Sequence, residues 1–168
     1  YGMYRLGQPG YSGKKLRVAL VQPNIGSLEK VEAYRGIGKK VRHVVDQYKA
    51  FTERALREKP NLILWPETAM PFQLFGDAMY PKEIKDAIRG WNTTVITGGY
   101  APGSVDPMRD YNAMYLIEPL PDGTLNEQAY YKNVLLAFGE YIPFADFFPS
   151  IYRQFPQIAN FEKGTHQK

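Results

Sequence analysis

Cysteine is absent from this sequence, and histidine occurs only twice, at His43 and His166. The first absence removes disulfides, thiolate metal sites and any thiol nucleophile supplied by these residues themselves, but it does not choose a compartment. Two histidines far apart, with no cysteine beside them, argue against a zinc site, and no other metal or cofactor is expected. No apolar run approaches the roughly 18 residues of a membrane span, and the opening residues lack a signal-peptide pattern. A Gly-x-Ser-x-Gly nucleophile elbow is missing too. Internal repeats and low-complexity blocks are absent.

What is present is ordinary for a globular domain. Of 168 residues, 44% are hydrophobic and 23% charged, enough for one real core and against disorder. The charge of +4 and pI near 9.1 are mildly basic. The basic residues are scattered, with small clusters at Lys14-Lys15-Arg17 and Lys39-Lys40-Arg42. Neither cluster sits in a nucleic-acid-binding motif, so no nucleic-acid partner is expected; weak attraction to anionic lipid suits such charge equally. Aromatic residues reach 14%, with 13 tyrosines.

Residues 1–15, rich in glycine and ending in two lysines, read as a linker. Leu16–Val21 reads as a first strand, closed by the turn signal Gln22-Pro23-Asn24, and a glycine-containing loop follows. From Lys40 to Lys59 the apolar positions Val41, Val44, Val45, Tyr48, Thr52, Ala55 and Leu56 fall on one helical stripe. Pro60 supplies the stop. The continuous run Leu62–Trp65 then reads as a buried strand, completing a strand–helix–strand unit with parallel pairing. A short helix is expected over Pro81–Arg89 and a third strand over Thr93–Thr97, ending at a Gly98-Gly99 turn. Tyr111–Ile117 and Thr124–Tyr131 flank the turn signal Pro121-Asp122-Gly123 and read as an antiparallel hairpin, so the sheet is mixed. The aromatic stretch 141–158 is irregular. Glu162–Lys168 is polar and reads as a cut end.

Two places concentrate chemistry. Pro66 cannot donate to a ladder, so pairing stops there and Glu67 emerges at a strand's carboxyl end, where open α/β sheets bind ligands. Glu67 is either a solvated loop carboxylate or a rigidly presented general base. Far downstream, Lys132 follows two tyrosines and precedes an apolar run, and Glu140 sits alone in Phe138-Gly139-Glu140-Tyr141. A half-buried Glu140 needs a partner, and Lys132 is the candidate. The triplet Asn92-Thr93-Thr94 matches a glycosylation sequon, a pattern that arises readily by chance.

Val18-Ala19-Leu20-Val21-Gln22-Pro23-Asn24, Leu64-Trp65-Pro66-Glu67-Thr68-Ala69 and Tyr131-Lys132-Asn133 through Phe138-Gly139-Glu140-Tyr141-Ile142-Pro143 occur in that order. Together they resemble the nitrilase (carbon–nitrogen hydrolase) superfamily, and most closely its apolipoprotein N-acyltransferase branch. The resemblance runs from about Leu16 to the end of the chain. It implies an α/β fold, an α-β-β-α sandwich with a mixed sheet, incomplete at the C-terminus. It also implies a Glu–Lys–Cys triad, in which Glu67 matches the general base, Lys132 the oxyanion stabiliser and Glu140 a further glutamate beside them. The nucleophilic cysteine has no counterpart in these residues. Val134 and Ala137 depart from the branch's usual His and Pro.

On this resemblance residues 16–168 are the N-terminal portion of a catalytic domain, inactive alone, and residues 1–15 are the exit from a membrane helix. The implied reaction moves an acyl chain from a phospholipid donor to the N-terminal amine of an apolipoprotein acceptor through a thioester. The implied location is the periplasmic face of a bacterial inner membrane, with the aromatic 141–158 stretch either a flap touching lipid or plain core packing. Two other readings stay open: a superfamily amidase acting on a small amide, and a non-catalytic lipid- or protein-binding domain of the same fold.

Overall fold

A computed structural model describes residues 3–4, 13–26, 38–75, 78–104, 109–143, 145, 147, 150–155 and 160–165. Most of the 1–15 linker, most of the loop before the first long helix, parts of the aromatic 141–158 stretch and His166 lie outside the described residues. The chain runs β1 (Val18–Leu20), α1 (Gly38–Leu56), β2 (Leu62–Leu64), α2 (Met79–Trp91), β3 (Thr94–Pro102), β4 (Asp110–Pro119), β5 (Leu125–Tyr131) and α3 (Ser150–Gln154). The strands form one sheet in the order β1-β2-β3-β4-β5. β1, β2 and β3 are parallel, whereas β4 and β5 join antiparallel, so the sheet is mixed as expected.

The period of two decides which side is covered. Along β4, Tyr111, Ala113, Tyr115 and Ile117 are buried, while Met114 between them is exposed. The buried set joins Ile63 and Val95 with the helix stripes, Val41, Val44, Val45, Tyr48 and Thr52 of α1 and Ile84 and Ile88 of α2, in one core. Trp65 seals it. Its ring lies 5.0 Å from Tyr48 and 6.1 Å from Trp91, and its indole N–H donates to buried Thr52 Oγ1 at 3.0 Å. Glu83 of α2 is held by Arg42 and Lys49 of α1 at 2.5 and 2.7 Å, and the Lys49 hydrogen bond leads the effects that hold its pKa below the ordinary carboxylate value. On the opposite face Val18, Leu20, Met114 and Tyr130 are exposed. The described residues therefore form one helix-and-sheet half of the expected sandwich.

Two expectations need correction. α1 ends at Leu56, before Pro60; the chain turns out through Lys59, whose φ is +49°. β3 does not stop at Gly98-Gly99 but runs through both to Pro102. A Cβ on Gly98 would stand 2.5 Å from Thr68 N and 2.7 Å from the Glu67 Cα, so glycine here admits a crossing loop, not a turn. Near the end of the described residues Phe161, Glu162 and Gly164 are buried, while Lys163 and Thr165 between and beyond them are exposed.

Candidate active site

Strand direction gathers the site. Because β4 is reversed, the carboxyl ends of β2 and β5 and the start of β4 share one edge of the sheet. Glu67 follows β2, Lys132 follows β5 and Asn112 opens β4, with the Lys132 N–H donating to the Asn112 carbonyl at 2.9 Å. Glu67 is presented by a tight turn over Gly98. Ala69 N–H donates to Pro66 O at 3.2 Å, Met70 N–H to Gly98 O at 3.2 Å, and Thr68 takes φ +50°. A β-branched residue in that left-handed region costs on the order of 1–3 kcal/mol, so the surrounding bonds must impose it. Phe138, two residues before Glu140, has φ +62° and is held by its N–H bond to Tyr141 O at 2.8 Å.

Glu67, Lys132 and Glu140 come together. The Lys132 ammonium lies 3.0 Å from Glu67 Oε1 and 3.0 Å from Glu140 Oε1. Sequence reasoning missed Asn112, which is only 4% exposed. Its Nδ2 donates to the same two oxygens, at 2.8 Å to Glu67 and 2.7 Å to Glu140. Two donors thus bridge two carboxylates, which lets like charges approach closely. Asn112 carried a weak signal, an amide beside a tyrosine at the start of a strand, and only the register reveals its place. Glu140 Oε2 is also occupied, by the Leu136 N–H at 2.8 Å.

The two glutamates are therefore unlike. Desolvation raises the Glu140 pKa, but the Leu136 N–H, Lys132 and Asn112 outweigh it and hold the carboxyl below the ordinary value. Glu67 is more open, its side chain 61% exposed, and its Oε2 has no hydrogen-bond partner among the described residues. Burial alone lowers the Lys132 pKa, yet the bonds and charges of Glu140 and Glu67 win and raise it. Lys132 stays an ammonium at neutral pH, and one of its three N–H groups has no acceptor among the described residues. A cavity of about 260 Å³ opens at the cluster, lined by Glu67, Lys132, Asn112, Ile96, Met114 and Tyr130. Such a site joins a free carboxylate oxygen, a spare cationic donor and an apolar wall: proton transfer beside a developing negative charge is the chemistry it supports. Among the described residues no group of acidic or histidine side chains is arranged to hold a metal ion.

No family model matches the chain. Among curated proteins, it is 34% identical over 161 residues to the apolipoprotein N-acyltransferase of Bdellovibrio bacteriovorus, a match covering 88% of this chain and 28% of that protein. The apolipoprotein N-acyltransferase of Chlorobaculum tepidum is 32% identical over 156 residues, covering 83% of this chain and 28% of its own length. The chain thus spans between a quarter and a third of these relatives. Among solved structures, the NitN amidase of a Nesterenkonia species superposes with a TM-score of 0.54 at 16% identity, covering 90% of this chain and 51% of that one. An N-terminal amidase gives a TM-score of 0.50 at 19% identity, over 72% of this chain and 28% of that one.

Proposed function

The chain belongs to the nitrilase (carbon–nitrogen hydrolase) superfamily, on the apolipoprotein N-acyltransferase branch, and from there we propose that it is part of such an enzyme. The donor is a phospholipid and the acceptor the N-terminal amine of an apolipoprotein. The thiol nucleophile comes from outside these 168 residues, which contain no cysteine. Glu67 Oε2 takes the thiol proton as sulfur adds to the ester carbonyl. The spare Lys132 N–H stabilises the resulting oxyanion. Collapse expels the glycerol oxygen, which takes the proton back from Glu67 and leaves an acyl thioester. The acceptor amine then attacks the thioester, gives its proton to Glu67, and the departing thiolate recovers it. Glu140, tied by the Leu136 N–H and Asn112, keeps Lys132 in place.

The observation that carries this reading is the Lys132 ammonium 3.0 Å from both glutamates at the mouth of a cavity. Acyl transfer is preferred to amide hydrolysis because the relatives at 32–34% identity are acyltransferases, while the amidases share the fold at 16–19%. No helix among the described residues is long and apolar enough to cross a membrane. In this reading residues 16–168 are catalytic-domain sequence, the preceding residues lead out of a membrane segment, and the site faces the periplasm at the inner membrane. The test is N-acylation of a diacylglyceryl-cysteine peptide by the whole protein, with phospholipid supplied. Glu67→Gln and Lys132→Ala should each lower turnover at least about 100-fold, the scale of losing a proton-transfer or oxyanion group. Full activity in either variant, or hydrolysis of small amides in place of acylation, refutes the assignment.

A further inference from the structure

Residues 160–164 run past the back of the site and are tied to it along their length. Asn160 Oδ1 accepts from Arg109 Nε at 2.8 Å. The N–H groups of Phe161, Glu162 and Gly164 donate to the carbonyls of Glu140, Asp110 and Lys132 at 3.0, 2.9 and 3.0 Å. The Phe161 ring stacks on Tyr100, 5.7 Å away and tilted by 23°. At Gly164 a Cβ would fall 2.4 Å from the Tyr131 carbonyl oxygen, so the segment lies directly on the end of β5.

The centre of this strap is a carboxylate that no step of the proposed reaction uses. Glu162 is only 9% exposed. Its Oε1 accepts from Ser104 Oγ at 3.0 Å and from the Tyr111 hydroxyl, while Ser104 Oγ and the Tyr111 hydroxyl are themselves 2.6 Å apart. The Tyr111 ring lies flat on Tyr131, with centroids 4.5 Å apart and planes within 7°. Each of these tyrosines immediately precedes a site residue, Asn112 in one case and Lys132 in the other. Neighbours along a strand point to opposite faces, so the ring pair on the helix side holds the backbone from which Asn112 and Lys132 project on the other.

We propose that Glu162 is a positioning residue: through the Tyr111 hydroxyl and the Tyr111–Tyr131 stack it sets the spacing of Asn112 and Lys132, and so the pairing of Lys132 with both glutamates. The role rests on reading Glu67, Lys132 and Glu140 as the working cluster, but it is geometric and can be measured without any acyl transfer. Ser104 Oγ and the Tyr111 hydroxyl need an acceptor oxygen at this point, which glutamine supplies and leucine does not.

The experiment is NMR on the whole protein, isotope-labelled at lysine and leucine, following the titration of the Lys132 side chain and the exchange rate of the Leu136 amide, the donor to Glu140. Lys132→Arg identifies the signal. Glu162→Gln should leave both readings as in the parent. Glu162→Leu and Tyr111→Phe should lower the Lys132 midpoint below that of the parent, because its pairing with Glu140 and Glu67 is what raises it, and should speed Leu136 exchange. If Glu162→Leu does not fold, Tyr111→Phe, which keeps the ring and removes only the hydroxyl, decides alone. A folded Tyr111→Phe with unchanged titration and exchange overturns the proposal, as does a Glu162→Gln that behaves like a deletion. A whole protein that proved to hydrolyse amides would leave these readings where they are, so the two failures are told apart.

Discussion

Glu67 and Glu140 are the same side chain put to different uses by what surrounds them. Three donors converge on Glu140, whereas Glu67 shares two of them and keeps one oxygen free. The consequence is a signed pH dependence. Glu140 has a folded pKa below its ordinary 4.5, so its contribution to stability is complete above that value and is lost as pH falls through the folded pKa. Lys132 has a folded pKa above 10.5, so its contribution is complete below that value and is lost as pH rises through the folded pKa. In Lys132→Met the largest positive partner of Glu140 disappears, and the acid-side loss should begin at higher pH than in the parent. Denaturation midpoints measured from pH 3 to 7 check this; identical acid profiles for parent and variant would show that the ammonium does not hold the carboxyl down. Which residues would supply the pairing was partly legible. The isolated Glu140 among aromatics demanded a cation, and Lys132 was near in sequence. Asn112 was not legible, since its meeting with Glu67 depends on a strand 45 residues away.

At the scale of elements, periodicity served well where one face is buried and failed where a neighbour's backbone intervenes. The α1 stripe and the β4–β5 hairpin with its Asp122-Gly123 turn follow directly from spacing, and Gly123 indeed takes φ +82°. The glycine pair in β3 reads as a turn only until the Glu67 loop is placed on Gly98. Gly98→Ala should therefore cost about 1–3 kcal/mol, because the opposing atoms are backbone and the loop must shift. Chemical denaturation gives the cost, and the Lys132 titration should move in the same variant as Glu67 is displaced. Elsewhere in the core, Thr52→Val keeps shape but deletes the acceptor of the Trp65 indole. A buried N–H left without a partner costs about 1–3 kcal/mol, so this variant should unfold at lower denaturant while the cavity and the Lys132 titration remain unchanged. A loss of under about 0.3 kcal/mol would mean that the indole finds another acceptor and that this bond does not seal the core.

For the whole molecule the decisive feature is asymmetry. One face of the sheet is closed by α1 and α2, and the other presents Leu20 at 77% and Met114 at 49% exposure beside Val18 and Tyr130. The sequence pattern gave no warning at β2, where a continuous apolar run says that both faces are covered but not by what. Among the described residues only the helix side has its cover. An apolar sheet face of this kind drives association when nothing lies on it. The 168-residue chain on its own should therefore run larger than 19.2 kDa in light scattering, with the apparent mass rising with concentration. Leu20→Lys combined with Met114→Lys should shift it toward the monomer. Neither side chain contributes to the helix-side core, so the unfolding free energy should change by less than about 0.5 kcal/mol per site. A parent chain that stays monomeric at every concentration would show that this face is covered from within the chain, and the double variant would then lose stability instead of gaining solubility.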